Sequence, residues 1–223
     1  MKQFFGMSQQ GNLTDAVRGL SRPQFIMLFS NSNQFEKHVV ELEKLFPEVP
    51  SIGCIGMSYD TKVVEKGVGV VAFYDGVAAA ANVLEEVSVM PVKYIQRLEE
   101  DVKRVNGSQN DTICIYLCSG NDACVLTTIY SVLKRKNISL VGGTGDAGKV
   151  SANGRVYEDA VAYAIVKNQN GKVKAYKENI YHPLDQYRFI ASRTDKANYV
   201  MGALNGYPAK RVYQDILHIT EKE

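Results

Sequence analysis

The order of predicted strands and helices, which occurs twice along the chain, is the feature that most constrains the fold. The first occurrence consists of Phe25–Ser30, a helix with Phe35, Val39, Leu42 and Phe46 on one face, Ser51–Met57 and Gly67–Tyr74. The second consists of Ile113–Cys118, a helix with Val125, Ile129, Val132 and Leu133 inward, Ile138–Gly143 and Tyr157–Lys167. Apolar runs of this length are typical of buried strands, and the helices show the 3.6-residue period. The pattern indicates an internal duplication over about residues 25–75 and 113–167, with two glycine-rich turns facing each other.

The remaining segments complete an α/β fold. Pro91 begins an amphipathic helix before the second unit, and Pro208 begins a closing helix. Antiparallel strands are predicted over Val173–Ile180, Tyr187–Ser192 and Tyr199–Leu204. We therefore expect a mixed sheet built from two weakly similar strand-helix-strand-strand units, followed by antiparallel strands and a closing helix, in one domain over residues 1–223.

Composition excludes several classes of protein. Hydrophobic residues make up 45% and charged residues 22%, which excludes a disordered chain. There is no apolar run long enough to cross a bilayer and no secretory signal, so we expect a cytoplasmic protein without membrane contact whose four cysteines are reduced. A net charge of +2 does not favour a nucleic-acid partner.

Polar residues mark the helix starts. Ser32 and Asn33 are suitable N-caps for the first helix, and His38 is placed on its polar side. Before the second helix, Ser119 and Asp122 have the spacing of a capping box. The cluster Ser119-Gly120-Asn121-Asp122 also lies at a strand-to-helix turn, where α/β sheets often bind ligands, so a cap and a ligand site both remain open.

The segment Gly142–Ser151 contains two motifs of nucleotide-binding loops. From Gly143 it matches both Gly-x-Gly-x-x-Gly and Gly-x-x-x-x-Gly-Lys. Both motifs need a helix to begin inside the loop, because helix amides hold the phosphate. Asn153-Gly154 instead predicts a β-hairpin. We expect a glycine turn at a strand end, whose backbone can line a pocket.

The cysteines and histidines do not form a recognisable site. Cys114 and Cys118 lie on the same side of one strand, and their spacing does not suit zinc. Burial as small apolar side chains is favoured, although a catalytic pair of Cys54 or Cys118 with His182 remains open. We expect no metal and no cofactor.

Several segments together resemble the N-terminal FIST domain, from about Phe25 to Leu217. The similarity is carried by Ser51-Ile52-Gly53-Cys54, by Leu140–Asp146, by Asn153-Gly154, and by Ile190–Leu217 with Leu204–Ala209 and Tyr213. The resemblance implies a non-enzymatic sensory module of bacterial, archaeal and some eukaryotic signalling proteins, including chemotaxis receptors. It implies a small ligand such as an amino acid, a following C-terminal FIST domain and a signalling output domain. On this basis the chain is expected to be a fragment of a longer protein.

The expected pocket is lined by the two glycine turns, with Asp146 or Asp122 binding an amine. Its predicted residues are Gly53, Cys54, Gly56, Ser58, Asn121, Asp122, Gly142, Gly143, Thr144, Gly145 and Asp146. Two alternatives remain open. One is an enzyme that uses the Gly143–Lys149 loop for a nucleotide or phosphate, or Cys54 as nucleophile. The other is a protein-interaction scaffold without a ligand.

Overall fold

The computed structural model describes residues 1–56, 58–59, 62–63, 66–120, 123–176, 185–195 and 200–218. The chain divides into two compact bodies, residues 1–176 and 177–223. The larger body contains both predicted units, about residues 25–75 and 113–167, and each is preceded by a further strand. We name the complete units the first repeat (residues 2–74) and the second repeat (residues 77–168).

The first repeat is a mixed sheet with two helices. Its elements are β1 (Lys2–Ser8), α1 (Leu13–Ala16), β2 (Phe25–Ser30), α2 (Phe35–Leu45), β3 (Ser51–Ile55), a short hairpin of β4 (Ser58–Tyr59) and β5 (Lys62–Val63), and β6 (Val68–Tyr74). Strands β2 and β3 are parallel, with α2 connecting them, and β6 lies antiparallel on the other side of β2. Strand β1 then pairs antiparallel with β6, which gives the order β1-β6-β2-β3.

The second repeat has the same strand order. Its elements are β7 (Val77–Glu85), α3 (Ile95–Arg104), β8 (Thr112–Cys118), α4 (Ala123–Leu133), β9 (Ser139–Thr144), β10 (Asp146–Ala152), β11 (Arg155–Tyr157) and β12 (Ala160–Asn168). The order β7-β12-β8-β9 matches the first repeat strand for strand, with β8 and β9 parallel. The α/β fold of two similar units is therefore confirmed. The leading strands β1 and β7 were not predicted, because neither has a pronounced alternation of apolar and polar residues.

One hairpin is exchanged between the repeats. Strands β10 and β11 belong to the second repeat in sequence, but β10 pairs antiparallel with β3 of the first repeat. The predicted Asn153-Gly154 turn joins them, with φ values of 46° and 76°. The Asn153 side chain accepts from the Ser51 N–H at 3.1 Å and donates to the Ala81 carbonyl at 3.0 Å. This asparagine therefore links the hairpin to both sheets.

The larger body has four layers. One apolar cluster fills the space between α1, α2 and the first sheet, a second lies between the two sheets, and a third lies between the second sheet and α3 and α4. Both sheets are thus covered on both faces, which explains the continuous apolar run Ala160–Val166 in β12.

Side-chain size differs between the two faces of β12. Val161, Tyr163 and Ile165 face the helices, whereas Ala160, Ala162 and Ala164 face the other sheet. The alanines let the two sheets approach closely, since a small side chain on every second position leaves little volume to fill between them.

Two predictions about α2 are corrected, and the capping box before α4 stays a prediction. The N-cap residue of α2 is Gln34 rather than Ser32 or Asn33, and the Asn31 Oδ1 accepts from the Gln34 N–H at 3.1 Å and so closes the turn before the helix. His38 is fully buried, so its placement on the polar side was wrong. The Ser119 hydroxyl accepts from the Ala160 N–H at 2.9 Å and so joins β8 to β12, while Asp122, its proposed capping partner, lies outside the described residues.

The smaller body is an antiparallel sheet with a closing helix, as predicted, but with different bounds. Its elements are β13 (Ala191–Asp195), β14 (Val200–Leu204), β15 (Tyr207–Pro208) and α5 (Ala209–Leu217). The strand predicted over Val173–Ile180 is wrong for residues 173–176, which are not extended in a sheet, and its other residues lie outside the described part.

Candidate ligand-binding site

The two glycine-rich segments meet where the chain passes from one sheet to the other. Strand β9 ends at Thr144, Gly145 makes the crossing, and β10 begins at Asp146. The Gly145 N–H donates to the carbonyl of Cys118 at the end of β8, at 2.9 Å. Asp146 pairs with Ile55 at the end of β3. The carboxyl ends of β3, β8 and β9 therefore converge on Gly145, at the edge where α/β sheets bind ligands.

The fourth parallel strand ends at the same place. The N–H of Gly56, directly after β3, donates to the Ser30 carbonyl at the end of β2, at 3.0 Å. Gly56 is half-buried, as are Gly143 and Gly145, whereas Thr144 and Asp146 are exposed. The crossing thus presents a short surface of glycine backbone with one carboxylate beside it.

Close packing beneath the crossing explains why Gly145 is a glycine. A Cβ at this position would lie 2.7 Å from the Cβ of Cys54 and 3.2 Å from its Sγ. Cys54 is buried, and burial together with the nearby charge of Asp146 raises the pKa of its thiol to about 12. The thiol is therefore protonated at neutral pH, which disfavours Cys54 as a nucleophile.

A β-bulge follows the crossing. The register of β10 against β3 shifts between Asp146 and Val150, and Ala147 and Gly148 have φ values of 51° and 70°. Bulges of this kind reorient side chains and frequently occur beside functional sites. Here the bulge leaves the Asp146 carboxylate exposed, and it forms no ion pair with any residue that the structure describes.

The nucleotide-loop motif does not have the geometry of a phosphate loop. The residues after Gly145 form the strand β10, so no helix N-terminus is present in Gly143–Lys149 to hold a phosphate. The Lys149 Nζ lies 2.7 Å from Glu36 and 3.5 Å from Glu158. This ammonium is therefore already paired with two carboxylates.

The other predicted site residues have different surroundings. Gly53 is buried inside β3, where a Cβ would lie 2.8 Å from the Leu28 carbonyl oxygen, so this glycine serves strand packing. Gly142 in β9 is exposed, but a Cβ at this position would lie 1.9 Å from the Tyr116 carbonyl oxygen, so this glycine also serves strand packing. The backbone of Ser58 is in β4, but its side chain lies outside the described part, as do Asn121 and Asp122.

The turn after β8, which was predicted through Asn121 and Asp122, also brings Cys118, Ser119 and Gly120 to this site. The Cys118 thiol is buried and donates to the Gly120 carbonyl, and the Ser119 carbonyl lies 3.8 Å from where a Gly148 Cβ would stand. The Ser119-Gly120 pair after a buried strand is the signal that points to this turn. Cys54, Cys114 and Cys118 are all buried, as predicted. Among the described residues, no group of three or more His, Cys, Asp or Glu side chains is arranged to hold a metal.

Comparison with known proteins assigns the chain to a family. None of the curated proteins compared with the chain matches it. No described helix combines the length and apolar character needed to cross a membrane. The model of one family, the FIST N domain, matches residues 24–206 and so includes the first repeat from β2 onwards, the whole second repeat and residues 177–206 of the smaller body. FIST domains are sensory domains of signal-transduction proteins. The chain belongs to the FIST family.

Proposed function

We propose that this FIST domain senses a small metabolite, an amino acid in the first instance, at the Gly145 crossing. The observation that carries the proposal is the convergence of the carboxyl ends of β3, β8 and β9 on one residue, Gly145, with the end of β2 beside them at Gly56. Ligands of α/β proteins bind in the crevice at such ends, where backbone groups and loops are free to contact them.

The charge at the crossing suits an ammonium group. Asp146 is exposed and has no ion-pair partner among the described residues, so it is available to bind a ligand amine. The half-buried glycines Gly56 and Gly143 allow a ligand to approach the backbone closely, since no side chain intervenes. Uncharged backbone and one carboxylate favour a small polar ligand with a positive group.

The crossing also provides a route for a signal. Gly145 connects β9 of one sheet to β10 of the other, so a ligand bound here contacts both repeats. Binding that favours one arrangement of the two sheets changes the population of that arrangement. We propose that residues 1–223 act as one cytoplasmic sensory module and pass this change to a C-terminal FIST domain and a signalling output domain.

A thermal-melt screen against amino acids, other small metabolites, and nucleotides with magnesium tests the proposal. A ligand at a hundred times its dissociation constant adds about 2.7 kcal/mol, which is a shift of a few degrees for a domain of this size. We expect an amino acid to raise the melting temperature of the natural chain. Asp146→Asn should abolish that shift without changing the melting temperature of the free protein, because the side chain is exposed.

Glu48→Gln provides the matched control, since Glu48 is an exposed carboxylate before β3, at the opposite end of the parallel strands. Its shift with ligand should equal that of the natural chain. An unchanged shift in Asp146→Asn would remove the crossing as the binding site. The amino-acid ligand would be contradicted if only nucleotide with magnesium raised the melting temperature. It would also be contradicted if none of the compounds raised it.

A further inference from the structure

The two repeats end in equivalent strands, but only one of these strands is covered. In the first repeat, β3 lies between β2 and β10, because the hairpin of β10 and β11 pairs with its outer edge. In the second repeat, β9 pairs only with β8 among the strands that the structure describes. Strand β9 is therefore an open edge at the position where its counterpart is paired.

The outward backbone groups of this edge follow from its register. The Gly145 N–H donates to β8, and alternate residues of a strand address the same neighbour, so Val141 and Gly143 also point their backbone groups at β8. Leu140, Gly142 and Thr144 then direct their N–H and C=O groups away from it. These groups pair with no strand in the described part of the chain, and such a row is a template for another strand.

An apolar groove runs beside the first half of this edge. It has a volume of about 520 Å³ and is lined by Leu126 and Tyr130 of α4, by Lys134 just after this helix, and by Asn137, Ile138, Ser139 and Leu140. Tyr130 is 55% exposed, an unusual fraction for a large aromatic side chain beside a core. A strand added to β9 would place every second side chain over this groove.

The first repeat shows what kind of segment covers the equivalent strand edge, that of β3. There, Val156 and Tyr157 of the hairpin lie beside Val40 of α2, and Lys149 of the same hairpin pairs with Glu36 of α2 at 2.7 Å. The covering segment is thus extended, apolar on one side, and opposite in charge to the helix that it meets.

The helix side of the open groove carries positive charge, whereas α2 in the first repeat carries the negative charge of Glu36. Lys134 lines the groove, and Lys136 follows in the same short 3₁₀ turn; both are exposed and form no ion pair with any described residue. Arg135 between them is paired with Glu99. One unpaired lysine in the groove, with a second unpaired lysine two residues further along the chain, favours a segment that carries carboxylates.

We infer that the β9 edge and the α4 groove bind an extended, acidic segment of a partner polypeptide, which adds as a strand to the second sheet. Backbone hydrogen bonds to β9 provide the register, alternating apolar side chains fill the groove, and a carboxylate pairs with Lys134, while Lys136 adds positive charge nearby. The inference rests on the edge and on these charges, and it is independent of the ligand proposed at the Gly145 crossing.

Fluorescence anisotropy with two synthetic peptides tests this inference. The first is a labelled eight-residue peptide in which valine alternates with glutamate and threonine, and the second has lysine in place of glutamate. We expect the acidic peptide to bind at least about tenfold more tightly than the basic one, with affinity that falls as salt rises. Lys134→Glu combined with Lys136→Glu should reverse that preference, and Tyr130→Ser should weaken binding of both peptides.

Lys37→Glu combined with Lys44→Glu is the matched control, since both lysines are exposed on α2, the equivalent helix of the first repeat. This double variant should bind the acidic peptide as the natural chain does. Equal binding of the two peptides, or an unchanged preference in the Lys134 and Lys136 variant with an unaltered circular dichroism spectrum, would overturn the inference. Self-association of the natural chain that excludes the peptide would also overturn it, because the occupant would then be a second copy.

Discussion

The two repeats share a strand order but fasten their helices to their sheets with different polar groups. In the first repeat, the buried His38 of α2 connects two other segments: its Nδ1 lies 2.6 Å from the Ser30 hydroxyl at the end of β2, and its Nε2 lies 2.9 Å from the Gly11 carbonyl. A carbonyl only accepts, so Nε2 carries the proton and Nδ1 accepts from Ser30.

In the second repeat, the central group is the buried Asp101 of α3. Its carboxylate accepts from the Tyr163 hydroxyl of β12 at 2.6 Å and from the Asn82 amide of β7 at 3.3 Å, and it pairs with Arg104. Burial and the charge of Asp101 raise the pKa of Tyr163, so its hydroxyl stays protonated and donates.

The comparison shows which features the duplicated fold requires. Both repeats keep the apolar strands, the crossing helix and a glycine in the second parallel strand, which together determine the topology. The polar contacts differ, because any buried group with a complete set of hydrogen bonds satisfies the same need. The open edge of β9 is the second difference, and it leaves the second repeat with a surface that the first repeat lacks.

The largest expected effect concerns the glycine that the repeats share. A Cβ on Gly142 would lie 1.9 Å from the Tyr116 carbonyl oxygen, and its φ of +150° is unfavourable for other residues. We expect Gly142→Ala to lower the free energy of unfolding by about 3 kcal/mol, measured by urea denaturation.

The adjacent Gly143 provides the control, because a Cβ added to this residue would meet nothing within 4 Å. Gly143→Ala should change stability by less than about 1 kcal/mol. Gly53→Ala in the first repeat should fall between the two, since its Cβ would lie 2.8 Å from the Leu28 carbonyl oxygen at an ordinary φ. Equal effects of Gly142→Ala and Gly143→Ala would contradict the requirement for close strand approach.

A smaller effect is expected from the polar network of the second repeat. Tyr163→Phe removes the hydroxyl that donates to Asp101 and leaves a buried carboxylate with fewer partners. We expect a loss of about 2 kcal/mol in the free energy of unfolding, because hydrogen bonds to charged groups contribute more than neutral ones. Tyr176→Phe, at an exposed tyrosine, should leave stability unchanged; a similar loss there would show that the network is not the cause.

The smallest effect is a pH dependence that belongs to the first repeat. Burial lowers the pKa of His38 below its ordinary 6.5, so below pH 6.5 the unfolded chain binds more protons than the folded one. The stabilisation that comes from keeping the His38 ring neutral is fully present above pH 6.5. It decreases as the pH falls towards the pKa of His38 in the folded chain, by at most about 1.4 kcal/mol per pH unit.

Urea denaturation between pH 7.5 and 5.5 measures this dependence. The decrease should be smaller in His38→Gln and unchanged in His218→Gln, whose side chain is exposed. A slope that persists in His38→Gln would assign the pH dependence to other groups.

Much of the fold could be predicted from local pattern. The strands β2, β3, β6, β8, β9 and β12 and the helices between them follow from runs and periods of apolar residues, and Asn153-Gly154 predicts its turn from backbone preference alone. The strands β1 and β7 were missed. The buried His38 was placed on the wrong face, because a histidine in a helix carries no sign in the sequence of the partners that bury it.

The sequence by itself determined the duplication, the family and the glycine-rich segments of the candidate site, since each depends on neighbouring residues or on their order. Only the tertiary structure decided that the repeats form two sheets and that β10 pairs with β3 rather than with β9. It also decided that Gly145 contacts Cys54 and Cys118. These contacts join residues far apart in the chain, and which strand edges pair depends on the packing of whole layers rather than on any local preference.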